Sequence, residues 1–345
     1  MWRKFLPGGK MRQAGKSQQF LETKDYAQGV RVRLPVLVLT GKKTGPLALV
    51  ISSQHGRELN GVAVIERVWR SLSPEKVKGR IVFLPVMNPL AVRMRRQDFP
   101  VEEPRFRPTG VSQLLYNMNR KWPPALGDDT YAGAVAEAVW KTYWKHADLS
   151  LDLHGWTDRS LSLAWAHRKH LKLLRSYGFP YHMVVDEVPQ DRGMSETSAF
   201  QAGIPHLVNE LAPQNTIVPE IVNLGARCVM NLFRAAGMLS GELQLPPVQY
   251  EFNQKHEEIE ARTPVEGLLL PEAKPGDFLR QGEPVARVLS LETLKTLWQF
   301  RTPKEALVFN LGGSGWGEDS PPSNIVFPGQ LVSLLKVPDA IIKNG

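Results

Sequence analysis

Apolar and polar positions follow one grammar along most of the chain and another after about residue 243. In the first part, short apolar runs trade places with stretches of helical period. "VRVRLPVLVLTG" (30–41) and "LALVIS" (47–52) predict strands joined by the basic turn "GKKTGP". "NGVAVIERVWRSL" (60–72) places Val62, Ile65, Val68 and Trp69 at helical spacing, with Asn60 as candidate cap. "RIVFLPVMNP" (80–89) predicts a buried strand, and a Pro- and Arg-rich stretch from 90 to 128 predicts a long irregular connection. Helix, strand, helix, strand then alternate through "YAGAVAEAVWKTYWKH", "ADLSLDLHGW", "HLKLLRSY" and "YHMVVDEV". "SETSAFQAG" predicts a short helix, "IPHLVNELAP" a strand and "PEIVNLGARCVMNLFRAAGML" a long helix. The first twenty-odd residues show no clear period.

Strands alternating with helices predict an α/β fold, a mainly parallel mixed sheet covered by helices on both faces. After 243 the chain offers short strands punctuated by Gly267, Pro275-Gly276 and Gly282, with little helix. That predicts a small all-β barrel or sandwich. We therefore divide the chain into a catalytic domain over 1–245 and a β domain over 246–345.

Composition changes this picture little. The 345 residues are 42% hydrophobic and 22% charged, ordinary for a globular protein with a full core. No run of eighteen apolar residues predicts a membrane span, and the basic start lacks the apolar block of a signal peptide. Cys228 is the one cysteine, so no intrachain disulfide forms; a reducing, cytoplasmic setting is expected. The net charge of +9 comes from scattered residues with one local cluster, "RMRRQ". No nucleic-acid module accompanies it, and attraction of small anions explains it equally well. "GKKTG" does not make a phosphate loop, because Val36 and Lys43 stand where glycine and Ser/Thr are needed.

The chemistry sits at three strand ends. His55 and Glu58 lie in "SSQHGRELNG", where a strand hands over to a helix. His154 ends "LSLDLH", in phase with Ser150 and Asp152 and out of phase with Leu149, Leu151 and Leu153. Glu210 ends "PHLVNE". Open α/β sheets gather sites at the carboxyl ends of their strands. Two histidines, one carboxylate and an open position make a catalytic zinc site, and a further glutamate beside it suits a general base. From spacing alone, H-x-x-E reads at least as well as a cap and salt bridge; the strand-end placement of all four residues tips the balance to metal. "HRKH" (167–170) reads as exposed basic helix, "HEEIE" (256–260) as a solvated charge run, and His146, His182 and His206 as structural.

With these motifs in order the chain resembles the succinylglutamate desuccinylase/aspartoacylase family, within the zinc carboxypeptidase-like superfamily. The H-G-x-E and L-N-G motifs stand as His55–Glu58 and Leu59–Gly61, Asn-Pro as Asn88-Pro89, and D-L-N-R as Asn117–Arg120. D-L-H is Asp152–His154, and the last motif is Asn209–Ala212. The resemblance spans roughly 30–240. It implies one zinc per chain held by His55, Glu58 and His154, with Glu210 as the base. It implies Asn119 and Arg120 as a clamp for a substrate carboxylate, and an arginine polarising the scissile carbonyl. Arg93, Arg95 and Arg96 all fit that last role, and we choose Arg96. Asp152 reads as a carboxylate behind His154 or as a plain strand-edge hydrogen bond. Asn117 and Ala212 depart from the family's Asp and Gly. The C-terminal segment is similar to biotinyl/lipoyl-type half-barrels, without a carrier lysine at a hairpin tip.

The expected activity is zinc-dependent hydrolysis of the amide of an N-acyl amino acid or a similar small carboxylate-bearing substrate. A metallocarboxypeptidase acting on peptides and a non-catalytic binding module with a degenerate site are the alternatives. No nucleic-acid or membrane partner is expected; homo-oligomerisation is left open.

Overall fold

The structure is a computed structural model that describes residues 13–23, 32–98, 117–122, 130–157, 159–188, 193–312 and 323–344. The first part carries strands β1 (Gly15–Glu22), β2 (Arg33–Thr40), β3 (Lys43–Ser52), β4 (Lys78–Leu84), β5 (Leu149–His154), β6 (Leu163–His167), β7 (Tyr181–Val185) and β8 (His206–Glu210). Its helices are α1 (Asn60–Ser71), α2 (Pro89–Met94), α3 (Tyr131–Thr142), α4 (Leu171–Tyr177), α5 (Ser195–Gln201) and α6 (Pro219–Ala235). β9 (Val248–Asn253) follows, then β10 (Glu258–Arg262), β11 (Gly267–Pro271), β12 (Phe278–Leu279), β13 (Pro284–Leu289), β14 (Thr296–Arg301), β15 (Ala306–Leu311), β16 (Ile325–Val326), β17 (Leu331–Lys336) and β18 (Ala340–Lys343).

Ten strands form one mixed sheet in the order β1-β2-β4-β3-β5-β8-β6-β7-β9-β18. The run β4-β3-β5-β8 is parallel, so the carboxyl ends of these strands meet at one edge. In β5, Leu149, Leu151 and Leu153 face a core formed with α1, α4 and α6. The opposite face packs α3 and α5. In α1 the residues turned inward are Val64, Ile65 and Val68, not Val62. Each such side chain contributes about 1.5–3 kcal/mol by leaving water.

Asn60 does not cap α1. The cap position is Leu59, with no side-chain bond. Asn60 Nδ2 instead donates to the Leu211 and Pro213 carbonyls, and its Oδ1 accepts from the Val218 amide. It ties the start of α1 to the chain leaving β8. Two sequence expectations differ for local reasons. β1 is regular structure where no period is visible, because it is an edge strand exposed over most of its length. The "HRKH" segment is exposed basic helix only in part: His167 ends β6, Arg168–His170 form a 3₁₀ turn with Arg168 and Lys169 exposed, and α4 begins at Leu171.

The β10–β17 strands form two four-stranded antiparallel sheets, β10-β17-β15-β12 and β14-β13-β11-β16, sharing a core of Leu269, Val288, Val308, Val332 and Leu335 among others. The change of pattern at 245–246 is not a change of sheet. β9 pairs in parallel with β7, and β18 adds to β9, so both ends of the β segment return to the large sheet. "HEEIE" falls largely in β10, and His256 Nδ1 lies 2.7 Å from the Asn253 carbonyl. The sandwich also braces the segment after His154: Leu161 donates to the Phe309 carbonyl, and Trp156 meets Phe309 edge-on at 5.6 Å. No helix among the described residues is long and apolar enough to cross a membrane.

Candidate functional site

The turn between β3 and α1 is shaped by close packing. Gly56 sits against the end of α2 so tightly that a Cβ would fall 2.2 Å from the Ala91 carbonyl carbon and 2.5 Å from the Arg96 oxygen. Its amide donates to Gln97. Ser53, at φ 53°, turns the chain out of β3, and its hydroxyl holds the Glu58 carbonyl at 2.6 Å. Gly61 lets α1 begin against Ser52 and Leu153; a Cβ there would lie 2.1 Å from Ser52 Oγ. These contacts bring His55 and Glu58 to the end of β5, where His154 stands.

His55, Glu58 and His154 converge, all buried, with one donor atom from each within 4.8 Å of the others. His55 Nδ1 lies 2.7 Å from Glu58 Oε1, and His154 Nδ1 lies 3.3 Å from the same oxygen. The far nitrogen of each ring is held from behind. His55 Nε2 donates to Asn117 Oδ1 at 3.1 Å, and His154 Nε2 donates to Asp152 Oδ2 at 2.9 Å. With a metal bound, both bonds would select the tautomer that turns the Nδ1 lone pair toward the ion.

Asp152 is itself fixed. Its Oδ2 accepts from Ser195 Oγ at 2.9 Å and from Gln54 Nε2, while Gln54 Oε1 accepts from Trp122 Nε1 at 2.8 Å. Of the two readings of Asp152 open in the sequence, the geometry gives the carboxylate behind His154. Gln54, Trp122 and Ser195 are the members that sequence reasoning missed. Gln54 lies within the "SSQHGRELNG" stretch, but Trp122 and Ser195 carry no signal of their own: their contribution depends on tertiary contact.

The charges of the cluster sustain one another. Burial opposes ionisation of Glu58, but the two imidazoles overcome it and hold the carboxyl well below its ordinary value. Burial also works against protonation of His55 and His154; the neighbouring carboxylates outweigh it and raise both. Two imidazoles, a carboxylate and oriented outer partners make a donor set that suits a zinc ion.

Glu210 lies beside this cluster, directly opposite His154 in the β5–β8 register. Burial pushes its carboxyl up to about 8 against the pull of the two histidines. Its Oε2 is buried and has no hydrogen-bond partner among the described residues.

The other sequence candidates lie around this centre. Asn119 turns its Oδ1 to the Ser195 amide at 2.8 Å, and Arg120 Nη1 donates to the Asn119 carbonyl at 2.6 Å. Arg93, Arg95 and Arg96 are exposed, and Arg95 closes α2 in the left-handed region. Arg96 approaches the His55 turn through its backbone at Gly56. His182 and His206 are buried in polar contacts, with Glu251 at 3.0 Å and Ser150 at 2.8 Å.

The fold has relatives among solved structures. Similar solved structures include a succinylglutamate desuccinylase/aspartoacylase from Rhodobacter sphaeroides (TM-score 0.72, 20% identity, covering 96% of this chain and 98% of that one). Another is the product-bound ectoine utilization protein EutE (DoeB) from Ruegeria pomeroyi (TM-score 0.72, 21% identity, 95% and 97% covered). Among curated proteins, the N-alpha-acetyl-L-2,4-diaminobutyric acid deacetylase of Halomonas elongata is 26% identical over 271 residues, 75% of each chain. The family model of the succinylglutamate desuccinylase/aspartoacylase catalytic domain matches residues 44–236, more than half of the chain and the whole span from His55 to Glu210. The chain belongs to the succinylglutamate desuccinylase/aspartoacylase family.

Proposed function

We propose that this protein is a zinc-dependent deacylase that hydrolyses the amide bond of an N-acyl amino acid. The observation that carries the reading is the pairing of His154 with Glu210 across adjacent strand ends, with Glu210 Oε2 lacking a partner among the described residues beside the buried triad. His55, Glu58 and His154 would hold the metal. Zinc bound there supplies a Lewis acid for the scissile carbonyl and a water acidified to a pKa of about 7.

Glu210 does the proton work. Burial raises its carboxyl, which helps it to hold a proton between taking it and returning it. Its Oε2 takes the proton from the attacking water and delivers it to the leaving nitrogen. Asp152 and Asn117 keep the two imidazoles in register throughout, so the site needs little rearrangement at the moment of reaction. Arg120, beside Asn119, would bind the free carboxylate of the amino acid, a task suited to a planar guanidinium. The family and the deacetylase relative support an amide substrate of this kind.

The test is hydrolysis of a panel of N-acyl amino acids and short peptides by zinc-loaded and chelator-treated protein. Release of free amino acid that needs the metal supports the reading. Turnover confined to peptide carboxyl termini would replace it with a peptidase, and metal binding without turnover of any member would leave a binding module.

A further inference from the structure

A cavity of about 280 Å³ adjoins the site and is absent from the scheme so far. Its floor is one rung of the large sheet: Val208 on β8 pairs with Trp165 on β6, which pairs with Met183 on β7. Phe200 and Glu196 of α5 wall it on one side, and Trp156 stands at another. Three parts of this wall are close in the chain to residues of the site. Val208 lies two residues before Glu210, on the same face of β8, so the two are about 7 Å apart along the strand. Trp156 lies two residues after His154. Ser195, whose hydroxyl holds Asp152, comes between the cavity residues Met194 and Glu196.

We propose that this cavity receives the side chain of the amino acid released by the reaction, and that it takes a large uncharged apolar side chain, aromatic or branched aliphatic. This rests on the deacylase reading above. Three contacts then grip one half of the substrate. The leaving nitrogen has to lie within reach of Glu210, the donor of its proton, and Val208 of the cavity wall stands one rung from Glu210 on the same face of β8. Arg120 also lies on this side: Gly193, just before Met194, packs so closely that a Cβ would stand 2.5 Å from the Arg120 carbonyl oxygen. Amine, carboxylate and side chain of one amino acid thus fall on neighbouring surfaces.

The wall decides the chemistry of the occupant. Trp165, Met183, Phe200 and Val208 offer apolar contact, and a charged side chain laid against them would lose its water. Burial works against charge on three polar groups in the wall. Burial lowers the His206 imidazole to about 4, and its Nδ1 is bonded to Ser150. Burial also raises the Glu196 carboxyl, whose Oε2 sits 3.3 Å from Ser195 Oγ. Elsewhere in the wall, burial and the neighbouring His167 and Lys169 lower His170.

The experiment compares zinc-loaded enzyme on the N-acetyl derivatives of L-phenylalanine, L-leucine, L-alanine, L-aspartate and L-2,4-diaminobutyrate. The expected result is kcat/KM for the phenylalanine or leucine derivative at least about 10-fold above the other three. Val208→Phe should lower the phenylalanine derivative by about 10-fold or more and leave the alanine derivative within about 3-fold. Met183→Ala, which needs no extra room in the sheet, should shift preference toward a still larger naphthylalanine side chain. Binding of N-acetyl-L-phenylalanine to Glu210→Gln protein, measured by calorimetry, separates the two readings. If that ligand binds and Val208→Phe abolishes its binding while no substrate is turned over, the cavity assignment stands and the deacylase reading falls. A wild-type preference for the aspartate or diaminobutyrate derivative overturns the cavity assignment and leaves the deacylase intact. Equal slowing of all substrates by both variants also overturns it.

Discussion

His154 donates from Nε2 to Asp152 Oδ2 across 2.9 Å, and the two residues stand two apart on the same strand. Alternation along β5 puts both on one face, so the carboxylate sits directly behind the ring that would hold the metal. Asp152→Asn keeps the shape and an acceptor for His154 Nε2 but removes the charge behind the ring. We expect metal affinity to fall about 10- to 100-fold, read by competition with a chelator of known affinity. Unchanged affinity would reduce Asp152 to a strand-edge hydrogen bond.

Glu210→Gln should behave differently. The side chain is not needed to complete the donor set, so zinc binding should persist within a few-fold. Turnover should fall by roughly 10²–10⁴ through kcat, the usual value of a positioned acid–base group. Near-wild-type kcat would show that another residue moves the proton.

Much of this was legible in the sequence, for a physical reason. A strand that changes from an apolar run to His, Glu or Asp at its carboxyl end spends polar groups where the core gains nothing, and three strands do so here at His55, His154 and Glu210. The parallel order β3-β5-β8 then has to bring those ends together. Gln54 and Trp122 were not legible. They are 68 residues apart and meet only because the segment around Trp122 folds under the β3–α1 turn. β1 was hidden for the opposite reason: an exposed edge strand needs no apolar face. Asn60 shows a third limit. Its position just inside a helix invites a capping role, and only tertiary contact reveals that its partners lie beyond β8.

Asn60 therefore supplies a stability test. Its buried amide makes three bonds to the Leu211, Pro213 and Val218 backbone, at 3.1, 2.9 and 2.9 Å. Asn60→Ala strands those groups. At about 1–3 kcal/mol for each buried polar group left unpaired, partly relieved by water, we expect a loss of about 2–4 kcal/mol by urea unfolding. Asn60→Asp keeps the acceptor for Val218 but not the donor, and should recover part of the loss. A helix cap alone would be worth about 1 kcal/mol and would be rescued fully by Asp.

Glu251 sets an acid limit on stability. It pairs in register with His182, whose Nε2 lies at 3.0 Å, and Arg175 grips it with two bonds of 2.8 and 2.9 Å. The His182 bond leads, burial opposes it, and the Arg175 fork adds to it; together they hold the carboxyl down at about 2 against an ordinary 4.5. A depressed folded pKa stabilises above the unfolded value and loses that stability as the proton goes on. The contribution is thus complete above about pH 4.5 and fades as pH falls toward 2. Glu251→Gln should flatten this part of the stability–pH curve. At neutral pH it should cost up to about 3 kcal/mol, because Arg175 is partly exposed and water screens its share. An unchanged slope between pH 5 and 3 would show that other carboxylates set the limit.

Arg120 poses the sharpest question about what the enzyme grips. Its guanidinium is half-buried, and Nη1 is spent on the Asn119 carbonyl at 2.6 Å. That bond helps fix the plane of the fork, and its other N–H groups are the ones that would meet an anion. Arg120→Lys keeps a positive charge but gives up the planar, two-pronged contact. If the clamp works equally on ground and transition states, KM should rise about 10-fold or more while kcat changes little. If it also sets the angle of the scissile bond, kcat should fall as well. A matched pair of substrates, one with a free carboxylate and one with the same group as its amide, separates the clamp from a structural role. The wild-type enzyme should favour the carboxylate strongly, and Arg120→Lys should erase most of that preference. Should the two substrates react equally well with wild-type protein, Arg120 holds the loop and not the ligand, and its replacement would then register as a lower melting temperature with both substrates affected alike.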